Sequence, residues 1–256
     1  MFATLLMALA VPQPGQAGPG PADSQAMRMV PLTSRKDEAG ERCTPDLRWC
    51  VSVVANGTEE APRLAVRAGT SPDPVVPAAE EADLAGHAVW PTLALLPDGS
   101  LLAGMETRVG TAYSGGGGSA TGLRLFRVSN DGAVQGPPLL DLPIGGSLLI
   151  RACFGEADMR RRRGACHDEY RFSASLTLAG GSGASLPDLL YRTEASAFPK
   201  GANRFGDSAD RRLAKADLAF ARDPVCSFTV RLVFDAAAGR YQPASPLPDC
   251  SSYTDP

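Results

Sequence analysis

His167 and the two acids that follow it, Asp168 and Glu169, are the residues of this chain with the clearest capacity for chemistry. An imidazole beside carboxylates can act as a general base or as a metal ligand, because its pKa lies close to neutrality. Successive residues of a strand project to opposite faces, so His167 and Asp168 point apart if this segment begins a strand. No second histidine is close in sequence. We expect no metal site and no cofactor, and interpret His167 as an exposed imidazole near a candidate ligand-binding loop.

Ser182 lies in the sequence Gly180-Gly181-Ser182-Gly183-Ala184, which approaches the G-x-S-x-G pattern of a nucleophile elbow. An elbow requires a strand before the serine and a helix after it. Here Ser185-Leu186-Pro187 does not start a helix and leads into another predicted strand. The segment is therefore interpreted as a hairpin loop, and a serine nucleophile remains the alternative.

A second glycine-rich segment, residues 113–119, has the composition of a phosphate-binding loop. Such a loop needs a Lys and a Ser or Thr after its last glycine, followed by a helix, and this segment has none of these. The sequence predicts a connector between strands.

The strongest local charge is the run Arg160-Arg161-Arg162-Arg163, with Arg151 and Arg171 on either side. Clustered guanidinium groups suit bidentate recognition of phosphate or carboxylate. In an exported protein the available anions are lipid head groups, acidic glycans and acidic proteins. The alternative is a solvated helix whose charge is partly neutralised by the nearby acids Glu156, Asp158, Asp168 and Glu169.

Six cysteines fall into three well-separated pairs along the chain. Six cysteines allow 15 pairings, of which the pairing of neighbours closes the shortest loops. The spacings of zinc sites and of thioredoxin-like redox sites are absent, which favours structural disulfides in an oxidising compartment. The expected disulfides are Cys43–Cys50, Cys153–Cys166 and Cys226–Cys250.

The N-terminal residues 1–17 combine an apolar run with small residues before a cleavage point after Ala17, as in a secretory signal peptide. Residues 18–40 are rich in Pro, Gly and charge and are expected to form a disordered leader. Residues 41–256 then form a single domain. No later stretch reaches the roughly 18 apolar residues of a membrane span. The net charge of −3 gives no general attraction to nucleic acid.

Alternating apolar and polar residues between turn residues predict antiparallel β-hairpins through most of the domain. The clearest turn is Pro97-Asp98-Gly99, in which proline presets φ, the aspartate accepts hydrogen bonds and glycine takes positive φ. Helices are expected over 156–163 and 208–221. The sequence thus predicts a mainly β sandwich or meandering sheets with one or two short helices, or alternatively a small propeller-like fold.

These features favour an exported, non-enzymatic binding or envelope-associated protein that recognises an anionic envelope component or an acidic protein. Its candidate ligand-binding residues are Arg160, Arg161, Arg162, Arg163 and His167. The alternative function is a periplasmic hydrolase with a site around His167.

Overall fold

The computed structural model describes residues 27–34, 40–55, 61–69, 86–180, 186–206 and 208–256. They form a mainly antiparallel β protein with two short helices and three local disulfides, which confirms the fold class predicted from the sequence. The expected signal peptide and Ser182 lie outside the described residues. Among the described helices, none has the length and apolarity needed to cross a membrane.

Strands dominate because apolar residues alternate with polar ones between Gly, Pro, Asp and Asn turns. The strands of the described part are β1 Arg28–Pro31, β2 Thr33–Ser34, β3 Arg42–Cys43, β4 Trp49–Val54, β5 Arg63–Ala68, β6 His87–Leu95, β7 Leu101–Tyr113, β8 Gly116–Val128, β9 Val134–Arg151, β10 His167–Leu178, β11 Leu189–Phe198, β12 Ala221–Arg222, β13 Thr229–Asp235 and β14 Arg240–Pro243. The helices are α1 Glu156–Arg161 and α2 Ser251–Thr254, with a 3-10 turn at Lys215–Asp217.

The strands form two sheets. The larger sheet has the order β1-β6-β7-β8-β9-β10-β11-β13-β14, with β12 paired to β11, and the smaller sheet has the order β2-β3-β4-β5. The long strand β9 joins the two halves of the larger sheet. Its first part pairs only with β8, residues 145–149 pair with both β8 and β10, and residues 150–151 pair only with β10.

This divergence along β9 lets the two ends of the larger sheet face one another. The main core cluster accordingly combines Trp90, Leu102 and Leu123 from the first half with Tyr191 and Leu232 from the second. A separate cluster packs the smaller sheet against β6 and β7. The burial of these apolar side chains is the main favourable contribution to folding.

A third core cluster lies where α2 covers β8, β9 and β10, and it includes Tyr170, Phe172 and Tyr253. Two glycines make this close packing possible. A Cβ atom on Gly146 would lie 2.1 Å from the carbonyl oxygen of Tyr253, and one on Gly118 would lie 3.1 Å from Pro256 Cα. The C-terminal segment is therefore seated directly on the sheet.

The predicted hairpins are confirmed. At the Pro97-Asp98-Gly99 turn, Gly99 has a φ of 83° and Asp98 Oδ1 accepts hydrogen bonds from the backbone N–H and the hydroxyl of Ser100, at 2.9 and 2.6 Å. The three predicted disulfides also form, each between neighbours in the sequence. Three disulfides fit a protein of an extracellular or periplasmic, oxidising environment.

Two local predictions are wrong. The described residues between 208 and 220 contain the 3-10 turn instead of an α-helix. Within the expected leader, Arg28–Pro31 and Thr33–Ser34 form β1 and β2, because β1 completes the sheet by pairing with β6. The glycine-rich segment connects two strands as predicted, but the connection is a tight turn at 114–115, and residues 116–119 begin β8. Its glycines allow close approach of neighbouring chains, since a Cβ on Gly116 would lie 2.2 Å from Leu149 O.

Candidate functional site

The arginine run lies on α1 and the turn after it, inside the loop that the Cys153–Cys166 disulfide closes. This loop, residues 153–166, is called the arginine loop below. It connects β9 to β10, whose ends pair through Arg151 and His167. The predicted helix over 156–163 is confirmed as α1, which ends at Arg161. Acids in its first turn and arginines in its last turn complement the helix dipole.

Arg162 does not face solvent. Its side chain is fully buried and its Nη2 atom lies 2.5 Å from Asp168 Oδ1. Its Nε atom donates to Ala165 O at 2.8 Å, and Nη1 donates to Ser208 O. The other carboxylate oxygen of Asp168 accepts a hydrogen bond from the Ser208 hydroxyl. All groups of this buried pair are thus satisfied internally, as the desolvation of two charges requires.

The arginines also hold the neighbouring chain segment 208–213. Arg161 Nε donates to Ala209 O at 3.0 Å and Arg163 Nε donates to Leu213 O at 2.9 Å. Together with the bond from Arg162 to Ser208, these contacts occupy the backbone carbonyls that an α-helix would use for its own hydrogen bonds. This explains why residues 208–221 are not helical despite their composition.

Two arginines of the run remain exposed. Arg160 pairs with Glu156 at 3.1 Å on the surface of α1, and Arg163 is exposed at the turn that follows. Arg161 is half-buried between Asp158 and Asp210, at 2.5 and 3.5 Å. The run therefore does not form one continuous anion-binding surface, because its members have three different environments.

A pocket beside the arginine loop brings together two other arginines. Arg151 comes from the end of β9, and Arg204 comes from the loop after β11. Neither forms an ion pair with any carboxylate among the described residues. The cavity measures about 170 Å³ and is called the arginine pocket below. The residues that line it include Arg151, Phe154, Asp168, Asn203, Arg204, Gly206 and Ser208.

The guanidinium groups of the arginine pocket are positioned by backbone acceptors and by a ring. Arg151 Nε donates to Cys153 O at 2.7 Å, and the guanidinium carbon lies 5.2 Å from the centre of the Phe154 ring. Arg204 Nη1 donates to the carbonyls of Ser251 and Asp255, at 3.0 and 2.5 Å. These acceptors are neutral, so neither positive charge is paired with a carboxylate within the part of the chain that the structure describes.

The glycine-rich turn contributes to this geometry. A Cβ on Gly115, whose φ is 94°, would lie 2.7 Å from Arg151 Cδ. The turn therefore packs directly against the stem of Arg151. Its glycine is required both by the positive φ and by this close approach.

Asp168 lines the arginine pocket, but its charge is paired with that of Arg162. Tyr170, next on the same face of β10, has a buried hydroxyl without a hydrogen-bond partner among the described residues. Burial, and next the charge of Asp168, raise the pKa of Tyr170, while Arg204 and Arg162 act in the opposite direction. The tyrosine is therefore a neutral phenol beneath the site.

His167 is exposed and does not line the arginine pocket. It lies opposite Arg151 in the pairing of β9 with β10, while Asp168 points inward, as predicted from strand geometry. Across the described residues no hydroxyl is hydrogen-bonded to His167. The pocket joining His167 to a nucleophile, which would favour a hydrolase, is not present in that part of the chain.

Two other places in the described chain were candidates for chemistry. Glu41 lies close to Cys43 and Cys50, but these cysteines form a disulfide and offer no thiolate to a metal. A cavity of about 240 Å³ lies between β10, β11 and the start of α2, lined by Phe172, Tyr191 and Phe228. Its walls are mainly apolar, and it contains no arginine or lysine.

The sequence analysis selected the arginine loop, and the structure shows a pocket beside this loop that contains two other arginines. Arg151 was noticed only as a flank of the run, and Arg204 was missed, because it is distant in sequence and lies in an irregular segment. The local signal was Asn203-Arg204-Phe205-Gly206, a polar and aromatic loop bounded by small residues. No protein-family model, curated protein sequence or solved structure matches this chain, so the geometry of the site alone carries the functional argument.

Proposed function

We propose that this protein is an exported, non-enzymatic binding protein that holds an anionic group of an envelope component in the arginine pocket. The observation that carries the proposal is the convergence of Arg151 and Arg204 on one cavity without a carboxylate partner in the described chain. Export to the periplasm or the cell exterior, with removal of residues 1–17, belongs to the same proposal and is supported by the three disulfides.

The chemistry of the arginine pocket suits a phosphate or carboxylate group. Guanidinium groups donate paired hydrogen bonds that match the oxygens of these anions. Asn203 Oδ1 accepts the backbone N–H of Phe205 at 3.0 Å, which leaves its side-chain amide hydrogens available as donors. With roughly 30 Å³ per water in the liquid, a cavity of about 170 Å³ has room for a group of about five heavy atoms.

Calorimetric titration of the full chain with inorganic phosphate tests this function. We expect saturable binding that weakens with added sodium chloride, because partly exposed charges are screened by salt. Arg151→Gln and Arg204→Gln should each reduce the affinity about tenfold or more, since a hydrogen bond to a charged group contributes about 1.5–3 kcal/mol.

Arg160→Gln is the matched control, because Arg160 belongs to the same loop but is exposed and paired with Glu156. It should leave phosphate affinity unchanged. Absence of phosphate binding, or equal losses in all three variants, would overturn the proposal. Circular dichroism of each variant verifies that the β structure is retained.

A further inference from the structure

We propose that the anion held by the arginine pocket is the phosphate of an anionic phospholipid, and that this end of the protein docks on a bilayer surface. The inference rests on the proposed function and names the partner of the same pocket. It is carried by Phe154 and Phe205, which are 69% and 78% exposed. No other large apolar side chain in the described ranges is as exposed as these two.

Both rings flank the arginine pocket. Phe154 lines it directly, immediately after the disulfide-bonded Cys153, and Phe205 lies between Arg204 and Gly206, which both line it. Apolar rings at the rim of a cationic site match the interface of a membrane, where aromatic side chains lie at the level of the charged head groups. The same arrangement presents guanidinium groups to lipid phosphates.

The charge of this end complements an anionic surface. Residues 151–163 include five arginines and two acids, whereas the whole chain has a net charge of −3. Three of these arginines are ion-paired: Arg160 with Glu156, Arg161 with Asp158, and the buried Arg162 with Asp168. Arg151 and Arg204, beside the two rings, have no carboxylate partner among the described residues. Their charges are the ones available to an anionic lipid surface, to which basic groups are attracted.

A bilayer explains the two rings better than a rigid partner does. Phe154 and Phe205 lie on separate loops, and neither side chain contributes to a core cluster of the described residues. A protein partner would need a complementary cavity for each ring, whereas a fluid interface accepts each one independently. An acidic glycan would engage the arginines through the same charges, and it is therefore one of the outcomes distinguished below.

Co-sedimentation of the full chain with vesicles tests the inference. We expect binding to vesicles of phosphatidylglycerol and phosphatidylcholine, and much weaker binding to pure phosphatidylcholine. Phe205→Ser is the cleaner variant, because Phe154 also contacts Arg151. It should weaken vesicle binding about tenfold, as expected for loss of one buried aromatic side chain, and leave phosphate affinity within about twofold. Val225→Ser, at a 61% exposed position that does not line the arginine pocket, should change neither.

The outcomes separate this inference from the proposed function. Phosphate binding without vesicle binding, or vesicle binding that Phe205→Ser and Phe154→Ser leave unchanged, would overturn the lipid partner and retain the anion site. If the wild-type chain binds neither phosphate nor vesicles, both the lipid partner and the proposed anion site are overturned. The bilayer is also rejected as the partner if the chain binds a polyanionic glycan as tightly as it binds vesicles, and if Phe154→Ser and Phe205→Ser leave that glycan affinity unchanged.

Discussion

Arg162 and Asp168 form an ion pair of 2.5 Å inside the protein, with side chains 0% and 2% exposed. The pair connects the arginine loop to β10, and through Ser208 it also holds the segment that carries Arg204. Arg162 is therefore buried behind Asp168 and Ser208, which line the arginine pocket, while Arg160 and Arg163 remain exposed.

Removing either member of this pair should destabilise the protein by about 3–5 kcal/mol, because the remaining charge would be buried without a partner. Arg162→Met and Asp168→Leu should show this loss in urea unfolding, and the double variant should lose much less than the sum. Arg160→Met, at the exposed pair with Glu156, should change the free energy of unfolding by about 0.5 kcal/mol or less. Additive losses in the double variant would argue against the pair as a coupled unit.

Gly146 should not tolerate a side chain, because its Cβ would meet Tyr253 O at 2.1 Å. Gly146→Ala should cost about 1–3 kcal/mol by overpacking. It should also weaken phosphate binding, since it displaces the C-terminal segment whose carbonyls hold Arg204. In Gly122→Ala the new Cβ would lie 3.9 Å from its nearest neighbour, Asp141 Oδ1, so this variant serves as the control. Equal thermal midpoints for the two variants would contradict the packing of α2 described above.

The Cys153–Cys166 disulfide should matter for binding as well as for stability. Replacing both cysteines by serine should cost about 3 kcal/mol, given a separation of 13 residues, and should reduce phosphate affinity because Cys153 O positions Arg151. The Cys43/Cys50 double serine variant should lose stability but retain phosphate affinity, since that bond lies in the smaller sheet. The phosphate affinities of the two variants are compared by calorimetric titration at a temperature below the unfolding midpoint of each. Matching affinity losses in the two variants would count against a specific role for the arginine loop.

The turn before β7 should make stability depend on pH in the acid range. Hydrogen bonds from the Ser100 hydroxyl and backbone, with the charge of Arg127, hold the pKa of Asp98 below its ordinary value. Because the folded-state pKa is the lower one, this contribution is complete above the unfolded pKa of about 3.9 and disappears as the pH falls through the folded value.

Asp98→Asn should therefore be less stable than the wild type at pH 7, and the difference should shrink by pH 3. Urea unfolding at both pH values measures it. Glu106→Gln should change the free energy of unfolding in the opposite direction. Burial raises the pKa of Glu106, and the charge of Arg42 offsets only part of this effect. That variant should be more stable than the wild type at pH 7 and equal to it at low pH. If the difference in the free energy of unfolding between Asp98→Asn and the wild type is the same at pH 7 and pH 3, the charge of Asp98 does not contribute to stability.

Local patterns predicted most of the fold. Pro97-Asp98-Gly99 specifies its turn through the φ values and acceptors of three adjacent residues, and each disulfide joins the nearest cysteine in sequence. Such features depend on short stretches of chain, which is why they can be read without a structure.

The candidate site was only partly predictable. Arg162 is buried because Ser208, 46 residues away, supplies an acceptor, and no local pattern contains that information. The same contact overrides the helical propensity of residues 208–221. Arg151 and Arg204 are distant in sequence and come together only through the tertiary fold. The arginine run therefore indicated its own loop, but no local pattern indicated the pocket beside it.

The claim that Arg151 and Arg204 bind an anion is tested most directly by following the side-chain Nε–Hε signals of the arginines in nitrogen-15 NMR spectra during titration with inorganic phosphate. The signals of Arg151 and Arg204, assigned through the two glutamine variants, should shift together and saturate with one dissociation constant, while that of Arg160 should not move. Unchanged signals for Arg151 and Arg204, or the same unsaturated drift for every exposed arginine, would contradict the proposed function.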